Sequence, residues 1–267
     1  MRLPVRALAA SITAAVLALV LVPTTALAAE PPSFLLTASG HPGGAVSGLP
    51  QLSVSGGTTV TASVSTLSGG SVTVVDGPGG GLPTAVRFPT YVSWGSYPRA
   101  VLNLTPSSGG ALSPGAADFE YGVVARLGQA SPVSAGRPDD NGDNAFQRGL
   151  YDDPSQFKLE FDRSRPACTV RGSAGRVIVV SHVAVRRGTW YTVSCTRTGS
   201  RLSVRVSAYG SAAEPVVDSA WGGTGSLAFP ASLPAAVGGK LAHDGAVLSS
   251  ASDQFNGAIA EVWTRTP

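Results

Sequence analysis

Polar and apolar residues alternate with a period of two along most of the chain. Arg201-Leu202-Ser203-Val204-Arg205-Val206-Ser207 does so without a break, which predicts a strand with one buried face. The same pattern runs through Thr58 to Val64, Ser71 to Val75, Thr84 to Phe88, Ala100 to Leu104 and Phe119 to Leu127, then Phe157-Leu159-Phe161, Arg176 to Val180, Thr189 to Thr196 and Ala258 to Trp263. Clusters of Gly, Pro, Ser, Asn and Asp separate these runs at short intervals, as turns do. No amphipathic run of helical period stands out. An all-β architecture follows, with two antiparallel sheets facing each other so that Val, Leu and Phe from both inner faces meet.

Only the start breaks this pattern. Arg2 and Arg6 precede an uncharged run over residues 7–22, Pro23 ends it, and Ala26-Leu27-Ala28 supplies small residues at a cleavage position. Residues 1–28 are expected to be a signal peptide, because the run is shorter than the roughly 20 residues of a spanning helix. Neither cysteine lies near the cleavage site for lipid attachment, and no apolar stretch precedes Pro267. The mature chain is therefore expected to be secreted and extracellular, without a membrane span. Residues 29–70, rich in Gly, Ser and Thr, read as an N-terminal β extension or linker, and residues 71–267 as the main domain.

Charge narrows the partners. Lys plus Arg number 19 and Asp plus Glu 16, a net +3 that falls to +1 without Arg2 and Arg6, too little for a nucleic-acid binder. A 43% hydrophobic content argues against disorder. The distribution is uneven: nine arginines and no acid lie between Arg163 and Ala213, and nine acids lie between Asp118 and Asp162. One reading is an arginine face for an anionic polysaccharide, with Arg201 and Arg205 pointing outward beside Ser203. The favoured reading is cross-strand pairing between the two blocks, worth about 0.2–1 kcal/mol per pair.

The two cysteines, Cys168 and Cys195, are expected to form a disulfide in an exported chain. Closing that loop stabilises the fold by roughly 3.5 kcal/mol on the chain-entropy account. A catalytic thiol or zinc site has no support, since no CxxC spacing occurs and His41, His182 and His243 are isolated.

Several motifs in order carry a family resemblance: Ala85-Val86-Arg87-Phe88-Pro89, Phe119-Glu120-Tyr121-Gly122, Asn144 to Gly149, Gly188 to Val193, and above all Gly238-Gly239 followed by Phe255-Asn256-Gly257-Ala258-Ile259 in the closing strand. From about residue 80 the chain resembles the laminin G-like, concanavalin A-like lectin/glucanase jelly rolls, especially secreted actinobacterial members. The resemblance implies a two-sheet antiparallel jelly-roll sandwich with almost no helix. Ile259, Val262 and Trp263 are expected to close its core, and Trp190 to be core as well. Such folds host lectins, adhesion modules, glycanases and lyases, so function rests on the site.

Glucanases of this fold carry three acids on one strand. Here Glu160-Phe161-Asp162 is followed by Arg163-Ser164-Arg165, so the proton donor is missing. The segment reads instead as an edge strand with Phe157, Leu159 and Phe161 inward. Asp139, Asn141 and Asp143 form a candidate Ca²⁺ loop, although position six is Asn144 and position twelve Leu150, unlike an EF-hand. A solvated turn is the favoured reading there, and Asp253 and Asn256 are weaker ligands still. Tyr91, Trp94 and Tyr97, with Trp221, are candidate sugar-stacking aromatics, against the alternative that they cover the sandwich end. Together these point to a secreted, non-catalytic module without an obligatory cofactor. Its expected partner is an extracellular glycan, neutral or anionic, or another surface protein. A glycan hydrolase or lyase and a protein-adhesion domain are the alternatives.

Overall fold

The computed structural model describes residues 31–46, 52–56, 59–90, 97–107, 112–128, 142–249 and 253–266. Among these the structure is all-β. The strands are β1 (Phe34–Ala38), β2 (Ala45–Val46), β3 (Leu52–Gly56), β4 (Val60–Leu67), β5 (Val72–Gly79), β6 (Leu82–Arg87), β7 (Arg99–Pro106), β8 (Phe119–Leu127) and β9 (Asp143–Arg148). They continue as β10 (Gln156–Asp162), β11 (Arg165–Gly172), β12 (Gly175–Val180), β13 (Trp190–Thr198), β14 (Arg201–Ala208), β15 (Val216–Trp221), β16 (Ala235–Val237) and β17 (Gly257–Arg265). No helix among the described residues is long and apolar enough to cross a membrane.

Two antiparallel sheets form a jelly-roll sandwich. The larger runs β15-β14-β13-β8-β17-β6-β5-β2, with β1 pairing both β17 and β3; the smaller runs β12-β11-β10-β9-β16-β7-β4. The segment before Gly70 enters both sheets, since β1 pairs β17 and β4 pairs β7 along its whole length. Gly70 itself lies where the chain crosses from the smaller sheet to the larger. β10 is interior, flanked by β9 and β11, which corrects the edge-strand expectation; β12 takes the edge. The inward set holds, with Phe157, Leu159 and Phe161 all buried.

Inner faces meet in one apolar core. Phe157 sits at its centre, with ring centroids 5.0 Å from Tyr121, 5.2 Å from Phe146 and 5.8 Å from Phe229. The Tyr121 hydroxyl reaches across from the larger sheet and donates to the carbonyls of Lys158 (3.1 Å) and Thr169 (2.9 Å). Burial raises its pKa, which keeps that proton in place. The Cys168–Cys195 disulfide spans the sheets from β11 to β13, with Cα atoms 5.7 Å apart. It pins two layers otherwise joined through side chains alone.

Candidate functional site

The outer face of the larger sheet carries a cleft of about 740 Å³. Alternation along β13 and β14 turns Val193, Cys195, Val204 and Val206 into the core. Their neighbours Thr192, Ser194, Thr196, Arg205 and Ser207 therefore face the cleft. The register stacks these into rows across four strands. Ser207 lies beside Thr192, Val124 and Glu261; Arg205 beside Ser194, Gly122 and Trp263; Ser203 beside Thr196, Glu120 and Arg265. The result is a floor of hydroxyls between an arginine on β14 and a mixed charged flank on β8 and β17.

A β-bulge sets that flank. The register of β17 against β8 shifts between Ile259 and Glu261, so Ile259 and Val262 point inward while Glu261, Trp263 and Arg265 point outward. This corrects the expectation that Trp263 closes the inter-sheet core. Trp263 is only 3% exposed, yet it packs with Ala85, Val124, Ala258 and Ala260 beneath the cleft. Its indole lies flat across Gly122, where an added Cβ would stand 2.3 Å from Cζ2. The indole Nε1 donates to Glu120 Oε1 at 3.0 Å, and Arg265 binds the same oxygen at 2.9 Å. Trp190, half-buried, belongs to the same outer cluster, under the Arg126 guanidinium at 4.8 Å.

Two charges in the cleft have other tasks open to them. Arg205 is exposed, and no hydrogen bond or ion pair occupies it among the described residues. Burial raises the Glu261 pKa, an effect that Arg265 partly offsets. Glu120 lies opposite Arg265, four residues along β17 from Glu261. That offset places the two glutamate backbones about 13 Å apart along the strands.

One end of the cleft is covered. Beyond Ile259, β1 replaces β6 as the partner of β17, so the β5–β6 tip leaves the sheet plane. Gly79, Gly80 and Gly81 take φ values of 80°, 59° and 100°, a run of left-handed backbone that side chains resist. The tip arches over the outer face to Tyr209 at the end of β14. The Tyr209 hydroxyl lies within 3.1 Å of the Gly79 carbonyl and 3.0 Å of the Gly80 carbonyl.

A second concavity, of about 390 Å³, lies on the outer face of the smaller sheet. Here the only two lysines of the sequence meet the acids. Lys158 pairs with Glu160 and lies 3.7 Å from Asp253, and Lys240 also pairs with Asp253. Glu160 is thus held by an ammonium group, and Asp162 is exposed nearby. The same region holds Asp143, the one described member of the candidate Ca²⁺ set. Asp143 is buried, and its Oδ1 accepts the Asn256 N–H at 2.9 Å. The Asp253 carboxylate faces two lysines. Asp143 and Asp253 are thus engaged by partners within the protein. Asp139 and Asn141 lie outside the described residues, as do Tyr91 and Trp94.

Of the remaining aromatic candidates, Tyr97 is corrected. Its ring is 1% exposed with the Arg99 guanidinium 4.2 Å from its centre, so it covers the interior and offers no face to a ligand. Trp221 is 72% exposed on edge strand β15, beside Arg201, on the same outer face as the cleft and toward its uncovered side. Four arginines of the basic block bind carbonyls. Arg197 binds the carbonyls of Gly115 and Gly225, Arg171 and Arg176 bind that of Tyr151, and Arg165 binds that of Ser181. Loop and turn carbonyls are the acceptors for these four, while Asp118 of the acid block acts electrostatically on Arg197.

No protein-family model matches the chain, and no curated protein matches it. Solved structures do. The binding domain of botulinum neurotoxin serotype G superposes with a TM-score of 0.53 at 10% identity, covering 88% of this chain and 46% of that one. Domain 4 of AbnA, an extracellular arabinanase of Geobacillus stearothermophilus, gives 0.44 at 12% identity, covering 76% and 81%. The LG1-3 region of the laminin alpha2 chain gives 0.43 at 12%, covering 80% and 32%. This chain spans less than half the length of the toxin domain. At such identities the likeness is one of fold.

Proposed function

We propose that the chain is a secreted, non-catalytic carbohydrate-binding module whose ligand lies in the cleft on the larger sheet. The observation that carries this reading is the cleft's floor: Thr192, Ser194, Thr196 and Ser207 present hydroxyls in register, with uncommitted Arg205 and Glu261 at its sides. Sugars need many short polar contacts on a broad surface rather than a deep apolar pocket. Trp221 extends the same face with an exposed ring suited to the C–H side of a pyranose. Glu120 is held by the Trp263 indole and by Arg265, which supports binding over hydrolysis, and the buried disulfide fits an oxidising, extracellular setting. The binding role named for the toxin domain is in keeping with this reading, though it belongs to that protein.

A glycan array on the mature chain tests it, with Ser194→Trp as the blocked control. Binding lost in the variant supports the cleft, and silence of wild type on neutral and anionic glycans alike sinks the reading. Release of reducing ends would favour the hydrolase instead. A surface-protein partner is the second reading, favoured by exposed Val217 and Trp221 on the same face of edge strand β15.

A further inference from the structure

We infer that the cleft receives the end of a glycan chain rather than an internal stretch. The inference rests on the carbohydrate reading above and adds the mode of recognition. Its basis is the strap formed by the β5–β6 tip. β6 lies beyond β17 in the sheet, and β17 is separated from β14 by β8 and β13. Three strand spacings make that width about 14 Å. The strap nevertheless contacts Tyr209, whose side chain shares the outward parity of Arg205 and Ser207. Gly80, Gly81 and Leu82 therefore stand at the row of Tyr209, Trp190 and Arg126, next to that of Ser207, Thr192, Val124 and Glu261, and they line the same cleft.

Leu82 holds the strap down by packing into the apolar cluster of Val124, Ala85 and Trp190. Tyr209 latches the far side. The hydroxyl floor thus ends under a wall of backbone on this side. On the opposite side Glu120, Thr196 and Arg265 form a rim that no strap crosses among the described residues. A polymer lying over Ser194 and Thr196 extends past that rim, but its other end meets the strap. Glu261 and the backbone of Gly80 and Gly81 are placed to contact the hydroxyls of the last sugar.

Titration calorimetry on the full mature chain tests this. The probes are linear malto-, cello-, xylo-, arabino- and galacturono-oligosaccharides, each from trisaccharide to dodecasaccharide. For a series that binds, one protein per chain at every length is expected, since each chain has one end of the right kind. Stoichiometry that rises in proportion to length overturns the inference and leaves the carbohydrate reading standing. Binding by none of the series overturns both. Tyr209→Phe removes the latch while keeping the ring. It is expected to weaken terminal binding about threefold to tenfold, as loss of one hydrogen bond does, and to let dodecasaccharides bind more than one protein. A variant that matches wild type in affinity and stoichiometry would count against the strap as the wall.

Discussion

Gly122→Ala is the sharpest local test of how the cleft floor is built. An alanine Cβ there would lie 2.3, 2.6 and 2.8 Å from three atoms of the Trp263 indole. Carbon contacts settle near 3.5–4.0 Å, so the ring must shift by about 1 Å or more. Such a shift breaks the 3.0 Å bond from Trp263 Nε1 to Glu120. Overpacking costs about 1–3 kcal/mol, and a hydrogen bond to a charged acceptor contributes about 1.5–3 kcal/mol. Replacing a strand glycine returns about 0.5–1 kcal/mol. The net expectation is a loss of about 1.5–5.5 kcal/mol, or roughly 3–22 °C in melting temperature for a domain of this size. Thermal melts followed by circular dichroism measure it, with tryptophan fluorescence reporting the ring. Gly223→Ala, where nothing lies within 4 Å of the added atom, is the control and should stay within about 0.5 kcal/mol. A Gly122→Ala protein that melts like wild type with unchanged fluorescence would refute the packing argument.

Other outcomes follow from the same structure. Replacing Cys168 and Cys195 together by serine should cost roughly 3.5 kcal/mol, read as a lower denaturant midpoint with a steeper slope, since the uncrosslinked unfolded chain exposes more surface. Glu261 binds its proton more tightly folded than unfolded, so its contribution to stability is present at acidic pH and is lost as pH rises through its folded value. Glu261→Gln should therefore melt higher than wild type at pH 7 and converge with it below about pH 4; a constant offset across that range would contradict the assignment. Because Lys158 and Lys240 neutralise Asp253, a chelator is expected to leave both melting temperature and glycan signal unchanged. A fall in either would place a cation on the segment containing Asp139 and Asn141.

The sandwich was legible because strand period and turn residues are local signals. Leu202, Val204 and Val206 turn inward as alternation requires, and the cysteine pair needed only a count and a compartment. The misreadings are all non-local. One bulge in β17 reversed the facing of Trp263, and no residue between Ala258 and Val262 announces it. Neighbour identity made β10 interior, because edge or centre depends on which strands arrive from elsewhere in the chain. Arg148 was invisible as a structural residue. It is fully buried, and its guanidinium donates to the carbonyls of Leu112 (2.7 Å), Pro230 (3.1 Å) and Leu233 (3.1 Å) while lying 4.8 Å over the Phe229 ring. Burial lowers its pKa to about 10, so it stays charged at neutral pH. The cleft escaped notice for a like reason. Thr192, Ser194 and Thr196 read as the wet side of a strand, and only the register with β14, β8 and β17 gathers them with Arg205 and Glu261.

Amide chemical-shift mapping of the mature chain, titrated with the strongest array-positive glycan, tests the central claim most directly. Perturbations should concentrate on Thr192, Ser194, Thr196, Arg205 and Ser207 on the outer face of the larger sheet and spread to Gly80 and Gly81. Shifts confined to the smaller sheet around Tyr151, Lys158 and Arg176, with the larger sheet silent, would contradict it.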